Sequence, residues 1–189
     1  DDLKISYEYL VICTGSVPNS FSIKGVEENC YFFNNLYDLN KLKALLEKSN
    51  EIFSRRKLFI VGAGPSGVEI ACKIHDIYED KFDINIIEKS NEILKRNKIF
   101  NREESEKALK DRKIHISLNT TVKEVSGDKI SISTNSEIKH LDKDIVIWTA
   151  GVKPNFSYLE TDEITQKYGR ILVDKNLQIE NHKNCFAIG

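Results

Sequence analysis

The sequence predicts an α/β fold built on a parallel sheet, and three observations predict it. Lys57-Leu-Phe-Ile-Val61 is a continuous apolar run of the kind buried on both faces of a sheet. Pro65 then stands where a first helical turn accepts it, and Val68, Ile70, Ala71, Ile74 and Ile77 supply a helical apolar face out to about Tyr78. Asp83-Ile-Asn-Ile-Ile-Glu88 is a second apolar strand. The order strand, helix, strand calls for parallel pairing across a crossover.

The flanking elements follow in chain order. Tyr9-Leu-Val-Ile-Cys-Thr14 is a short apolar run ended by Gly15-Ser-Val-Pro-Asn19, which reads as a buried strand entering a turn. Leu36, Leu39, Leu42, Leu45 and Leu46 recur at helical spacing between Leu36 and Asn50, as a core-facing stripe. Beyond Glu88 the chain is charged and weakly patterned, with one helix expected from Glu103 to Arg112. Ile114–Leu118, Thr121–Val125 and Lys129–Ser133 are short alternating segments, the last two joined at Gly127-Asp128 as a hairpin, and they predict a β-meander. Asp144-Ile-Val-Ile-Trp-Thr149 is another buried strand, closed by Ala150-Gly151, and short strands are expected at Arg170–Val173 and Asn184–Ile188. No long repeat is present, but Val11-Ile-Cys-Thr-Gly-Ser-Val-Pro-Asn19 and Val146-Ile-Trp-Thr-Ala-Gly-Val-Lys-Pro-Asn155 share one order of apolar strand, Thr, Gly and Pro-Asn.

Composition narrows the function classes. With 28 Lys+Arg against 29 Asp+Glu in 189 residues, the chain lacks the basic excess that nucleic-acid binding by phosphate neutralisation uses. No stretch approaches the roughly 18 apolar residues of a membrane span, and no signal peptide opens the chain. Cys13, Cys30, Cys72 and Cys185 form no C-x-x-C, and His75, His115, His140 and His182 are scattered singly, so no metal site is expected. Four unpatterned thiols fit a reducing cytoplasm. The absence of methionine, an Asp1-Asp2 start and an apolar last stretch from Asn184 to Gly189 predict a piece of a longer polypeptide.

One motif carries chemistry. Gly62-Ala63-Gly64-Pro65-Ser66-Gly67 is a G-x-G-x-x-G set directly after a strand and at the mouth of a helix, with an acid, Glu88, ending the second strand. Gly62 allows the tight turn, Gly64 leaves room for a pyrophosphate to reach the backbone, and Gly67 lets helix and sheet pack closely. Past Pro65, the N–H groups of Ser66 and Gly67 face such a phosphate, aided by the helix dipole. Glu88 is expected to accept bonds from the adenosine ribose hydroxyls. It has no evident packing role in that place. A carboxylate there disfavours a 2′-phosphate, so NADH is expected over NADPH, although Lys89 beside it softens that discrimination. Glu69, just inside the helix, either stabilises the helix start or faces the nicotinamide and handles a proton.

These stretches together resemble the two-dinucleotide-binding flavoproteins, the pyridine nucleotide-disulfide oxidoreductase superfamily, and within it the type II NADH dehydrogenases. The matching residues are Thr14-Gly15 with Pro18-Asn19, Val61-Gly-Ala-Gly-Pro-Ser-Gly-Val-Glu69, Val146 to Pro154, and Phe186-Ala-Ile-Gly189. The resemblance implies a Rossmann-like NAD(P)-binding domain over residues 36–151, flanked by partial FAD-domain segments at 1–35 and 152–189. Thr14-Gly15 and Thr149-Ala150-Gly151 are then the turns between domains, with Ala150 and Gly151 beside the NADH nicotinamide, and Thr14, Gly15 and Gly189 near the FAD of the full-length protein. The family's first FAD-binding glycine motif, the acid after Gly189 and the quinone-site and membrane-contacting region fall outside this chain, so it is expected to bind NADH and not to hold FAD alone. The implied activity is hydride transfer from NADH to FAD, then reduction of a quinone. A cytoplasmic protein, peripheral to the membrane face and homodimeric, is the accompanying expectation. The alternatives are a flavoprotein reductase of a disulfide, ferredoxin or peroxide, and a non-catalytic NADH sensor. A missing C-x-x-C in the middle domain counts against a thioredoxin-reductase-like enzyme, and the echoed Thr-Gly turns count against a sensor.

Overall fold

A computed structural model describes residues 4–50, 54–155, 164, 166–167 and 169–189, so the segment 152–189 is described in part. In chain order the strands and helices are β1 (Leu10–Ile12), β2 (Ser16–Pro18), α1 (Val26–Asn29), β3 (Tyr31–Phe32), α2 (Leu36–Asn50), β4 (Arg56–Val61), α3 (Pro65–Tyr78) and β5 (Phe82–Ile87). There follow α4 (Ile99–Asp111), β6 (His115–Ser117), β7 (Thr120–Val125), β8 (Lys129–Thr134), β9 (Glu137–Asp142), β10 (Ile145–Trp148), β11 (Val152–Pro154), β12 (Gln166–Lys167), β13 (Arg170–Ile171) and β14 (Cys185–Ala187). The chain gathers into two compact units, Pro18–Gly151 and Asp1–Val17 with Val152–Gly189.

The larger unit is mixed α/β, as expected. Its five-stranded sheet has the order β3-β10-β4-β5-β6, and every neighbouring pair is parallel. The alternation of side chains along each strand assigns two cores. Leu58 and Ile60 of β4 and Ile145 and Ile147 of β10 pack with Leu42 and Leu46 of α2, Val68, Ala71 and Ile74 of α3, and Leu109 of α4. Phe59, Val61, Val146 and Trp148 point the other way, onto Val122 and Val125 of β7 and Ile130 and Ile132 of β8. Helices on one face and a second sheet on the other explain why β4 and β10 read as unbroken apolar runs rather than alternating ones.

Several boundaries differ from the sequence reading. The larger compact unit, Pro18–Gly151, includes β3, which hydrogen-bonds to the β10 edge of the sheet. The helix expected from Glu103 starts earlier, at Ile99; Ile99 and Phe100 are exposed and Lys98, at the N-cap, makes no side-chain capping bond, so the pattern carries no start signal. Ile114–Leu118 yields β6, which adds to the parallel sheet beside β5. The antiparallel layer is β7-β8-β9. Its hairpin at Gly127-Asp128 is closed by Ser126 N–H donating to Lys129 O at 2.8 Å, while β9, Glu-Ile-Lys-His-Leu-Asp, is mostly exposed and shows no apolar alternation.

In the smaller unit β1 pairs in parallel with β14 and β12 pairs antiparallel with β13, while β2 is paired with β11. The expected burial of Tyr9–Thr14 is not found: Leu10 and Val11 are 37% and 50% exposed, since β14 is the one described strand beside β1.

Candidate functional site

The glycine turn leaves β4 at the carboxyl end of the parallel sheet, and its glycines have distinct physical reasons. Gly62 has φ +106°, and a Cβ there would meet the Ala150 Cα and the Thr149 carbonyl at 2.9 Å. Its N–H donates to Ile87 O at 2.8 Å, tying the turn to the end of β5. At Gly67 a Cβ would stand 1.9 Å from the Gly62 carbonyl oxygen and 2.9 Å from Thr149 Oγ1. That hydroxyl lies 3.0 Å from Val61 O and 3.1 Å from Gly62 O, its forked bond fastening the end of β10 to the turn. Gly64 differs, because a Cβ there would meet no protein atom within 4 Å. Gly62 and Gly67 are therefore required by packing, and Gly64 is not.

Pro65 is the first residue of α3, and no side chain caps the helix start. The N–H groups of the first turn have no intrahelical acceptor, and Ser66 and Gly67 carry them beside Gly64. Together with the helix dipole this is a cradle for a negatively charged group. A diphosphate fits it, since the bare face of Gly64 is where it would lie against main chain.

Glu88 stands at the end of β5, half-buried, and does more than expected. Its Oε2 accepts the Ala63 N–H at 2.8 Å and its Oε1 accepts the Ser90 N–H at 2.7 Å. The absence of a packing role expected for this acid is thus corrected: it pins the middle of the glycine turn. Lys89 is exposed, with its Nζ 5.7 Å from the centroid of the Phe21 ring. Glu69 is exposed in the second turn of α3, with no hydrogen bond or ion pair recorded among the described residues.

A cavity of about 160 Å³ opens at this end of the sheet, touching Gly62, Glu88, Lys89 and Ala150. Val61, Ile87, Val122 and Trp148 form its apolar wall, and Phe21 stands among its lining residues. Gly151, next to Ala150, has φ +144°, and its carbonyl accepts the Asn19 N–H at 3.0 Å. The structure therefore brings Gly62, Glu88, Lys89 and Ala150 around one cavity beside the start of α3. Sequence reading missed Phe21 and the Thr120–Val122 stretch. The first could have been suspected as a large aromatic placed directly after the Pro18-Asn19 turn, where no strand or helix pattern claims it.

In the smaller unit, β1 and β14 run in parallel, and the Ile188 N–H donates to Ile12 O at 3.0 Å. Thr14, Gly15 and Gly189 consequently follow the same end of one strand pair. Gly15 has φ +71° and Gly189 φ +135°. The Thr14 and Gly15 carbonyls accept the Asn155 side-chain and backbone N–H groups at 3.3 and 3.0 Å.

A family model described as pyridine nucleotide-disulphide oxidoreductase matches residues 1–189. The chain is 30% identical over 214 aligned positions to the external alternative NAD(P)H-ubiquinone oxidoreductase B3, mitochondrial, of Arabidopsis thaliana, covering 100% of this chain and 37% of that protein. It is 29% identical over 188 positions to the demethylphylloquinone reductase NdbB of Synechocystis, covering 98% of this chain and 46% of that one. Among solved structures, NDH2 from Plasmodium falciparum in complex with NADH superposes with a TM-score of 0.85 at 24% identity, over 99% of this chain and 44% of that one, a likeness of fold. The chain thus spans less than half the length of these relatives. A match over every residue, on a fold with the glycine turn and acid in place, means that the chain belongs to the pyridine nucleotide-disulphide oxidoreductase family.

Proposed function

We propose that this chain is the NADH-binding part of a flavoprotein that takes hydride from NADH onto FAD and passes the electrons to a quinone. The observation that carries the reading is the start of α3: a glycine whose bare side faces no protein atom, next to first-turn N–H groups and an acid at the end of the neighbouring strand. In this reading Gly62, Gly64, Pro65, Ser66 and Gly67 shape and line the diphosphate cradle. Glu88 accepts ribose hydroxyls and disfavours a 2′-phosphate, and Ala150 and Gly151 lie along the path to the nicotinamide. Residues 36–151 act as the NAD(P)-binding domain, with 1–35 and 152–189 as parts of an FAD domain.

FAD, when bound, supplies the hydride acceptor. Thr14, Gly15 and Gly189, at one end of the β1–β14 pair, are the residues of this chain that would hold it. Glu69, exposed on α3, would orient the nicotinamide end or hold a proton there. The quinone rests on the names of the Arabidopsis and Synechocystis relatives, both of which specify one. A lipid-soluble acceptor supports a position peripheral to a membrane, and no described helix is long and apolar enough to cross one.

The test is the flavin spectrum of the full-length protein. A yellow protein that bleaches on adding NADH and recovers on adding a quinone, faster than with a disulfide or ferredoxin, is the expected result. A colourless protein that still binds NADH would make the chain a sensor, and recovery with a disulfide alone would remove the quinone.

A further inference from the structure

The cavity beside Glu88 holds one feature that the glycine motif leaves unexplained. Phe21 is a large apolar side chain left 50% exposed, yet its place is closely determined. Its backbone has φ +52° and that of Ser22 φ +54°, a left-handed pair with no glycine in it, and such backbone is uncommon for a bulky residue and costs free energy to hold. Three bonds hold it. The Phe21 N–H donates to Asn19 Oδ1 at 2.9 Å, the Trp148 Nε1–H donates to Asn19 O at 2.8 Å, and the Asn19 N–H donates to Gly151 O at 3.0 Å. Ile23, two residues on, packs with the core beneath the sheet. The loop is therefore anchored on both sides of Phe21, while Phe21 itself stays at the cavity mouth, its ring edge 3.5 Å from where a Gly151 Cβ would stand.

Size and chemistry restrict the occupant. About 160 Å³ is well below the roughly 300–1,000 Å³ of a site that encloses a drug-sized ligand, so the cavity takes one ring system and not a dinucleotide. Its wall is apolar, as a flat heteroaromatic ring requires. It reaches from Ala150 to Glu88 and Lys89, and the Lys89 ammonium over the Phe21 ring puts that ring beside the ribose that Glu88 would grip.

The geometry points to Phe21 as the platform on which the adenine base of the dinucleotide stacks, an inference that rests on the NADH reading above. Lys89, whose ammonium now covers the ring at 5.7 Å, is exposed and flexible, and gives way to the base because an exposed cation–π contact is weaker than a base–aromatic stack. Phe21 then contributes affinity for the adenosine half of the cofactor.

Calorimetry on this chain tests the assignment with NADH and with ADP-ribose, which keeps the adenosine diphosphate and lacks the nicotinamide. Phe21→Ala and Phe21→Leu should each weaken both ligands by about 5- to 150-fold, the range of one lost stack. Phe21→Tyr and Phe21→Trp should restore wild-type affinity to within about twofold by the same stacking logic. In the full-length flavoprotein, Phe21→Leu should raise KM for NADH by a larger factor than it lowers the bleaching rate at saturating NADH. Leucine keeps the apolar bulk, so a merely structural residue would tolerate it. Unchanged ADP-ribose affinity in Phe21→Leu, or a weaker NADH with normal ADP-ribose, overturns the adenine assignment. A wild-type chain that binds neither ligand overturns the dinucleotide reading itself, and the platform with it.

Discussion

Gly64 and Gly67 stand three residues apart in one turn, yet the structure assigns them opposite sensitivities, and substituting each separates folding from binding. A methyl at Gly67 would lie 1.9 Å from a backbone carbonyl oxygen, which no rotamer can relieve. The start of α3 must move off β4, and overpacking of this kind costs about 1–3 kcal/mol. For a chain of this length each kcal/mol lowers Tm by about 2–4 °C, and an overlap with backbone this close draws on the upper half of that cost, about 2–3 kcal/mol, so Gly67→Ala should melt about 4–12 °C lower. At Gly64 the backbone is extended, with φ −75° and ψ −179°, a conformation a β-branched residue adopts freely, and its Cβ meets nothing. Lost chain entropy in the unfolded state stabilises Gly64→Val by about 0.4–1 kcal/mol, and the poorer helix cap offsets a similar amount, so Tm should stay within about 3 °C. NADH binding reverses the order, because the added isopropyl group fills the face against which the diphosphate would rest. Thermal unfolding and NADH calorimetry on both variants decide the matter. A Gly64→Val chain that binds NADH as the wild type does would remove the diphosphate from this turn. One that melts as low as Gly67→Ala would mean that Gly64 is a packing glycine after all.

The other predictions concern carboxylates and a thiol. Glu88→Arg should raise the ratio of NADPH to NADH affinity, and it should also lower stability by about 1–3 kcal/mol because the Ala63 and Ser90 N–H groups lose their acceptor; an unchanged ratio in a folded variant counts against the ribose assignment. Glu69→Gln should slow flavin reduction by NADH in the full-length protein more than it weakens binding, and equal effects on both would leave Glu69 a helix-end residue. Burial pushes the Cys30 thiol from 9.0 up to about 12, with Lys143 pulling it down and Glu28 adding to the rise. The unfolded chain then loses this proton first, so the stabilising contribution is whole below pH 9 and is lost as pH rises toward 12, by up to about 1.4 kcal/mol per pH unit. Urea unfolding between pH 8 and 11 should show that decline, and Cys30→Ala should flatten it; an equally steep alkaline limb in the variant would place its cause elsewhere.

Legibility in the sequence followed how local each cause is. The β4–α3–β5 unit was readable because its signals are short-range: apolar runs for strands covered on both faces, Pro65 at a first helical turn, and glycines at fixed spacing. The ends of α4 were not, because a helix that buries only Leu109 and lacks a side-chain cap leaves almost no periodicity. Strand β9 was hidden for a related reason: it is held by its ladder with β8 and not by burial. The exposed β1 misled in the other direction, since Leu10, Val11 and Ile12 form an apolar run whose described neighbour is a single strand. Phe21 stood out only as an aromatic that no element claims, because its loop is fixed largely from afar: Trp148 bonds Asn19 across 129 residues and Gly151 bonds it from further still.

Glu88 shows why its two roles do not compete. An ionised carboxylate offers about four lone-pair directions, and the Ala63 and Ser90 N–H groups take one on each oxygen. One direction per oxygen remains, which matches a pair of neighbouring ribose hydroxyls. The intramolecular bonds also fix the side chain before any ligand arrives, so little rotamer entropy is left to lose on binding. They carry a further consequence, because Ala63 lies between Gly62 and Gly64. Whatever draws the carboxylate toward a sugar also pulls on the middle of the diphosphate cradle, so Glu88→Gln, which keeps one acceptor oxygen, should weaken ADP-ribose and inorganic pyrophosphate alike. If pyrophosphate, which has no sugar, binds the Gln variant as it binds the wild type, the acid grips the ribose without shaping the turn.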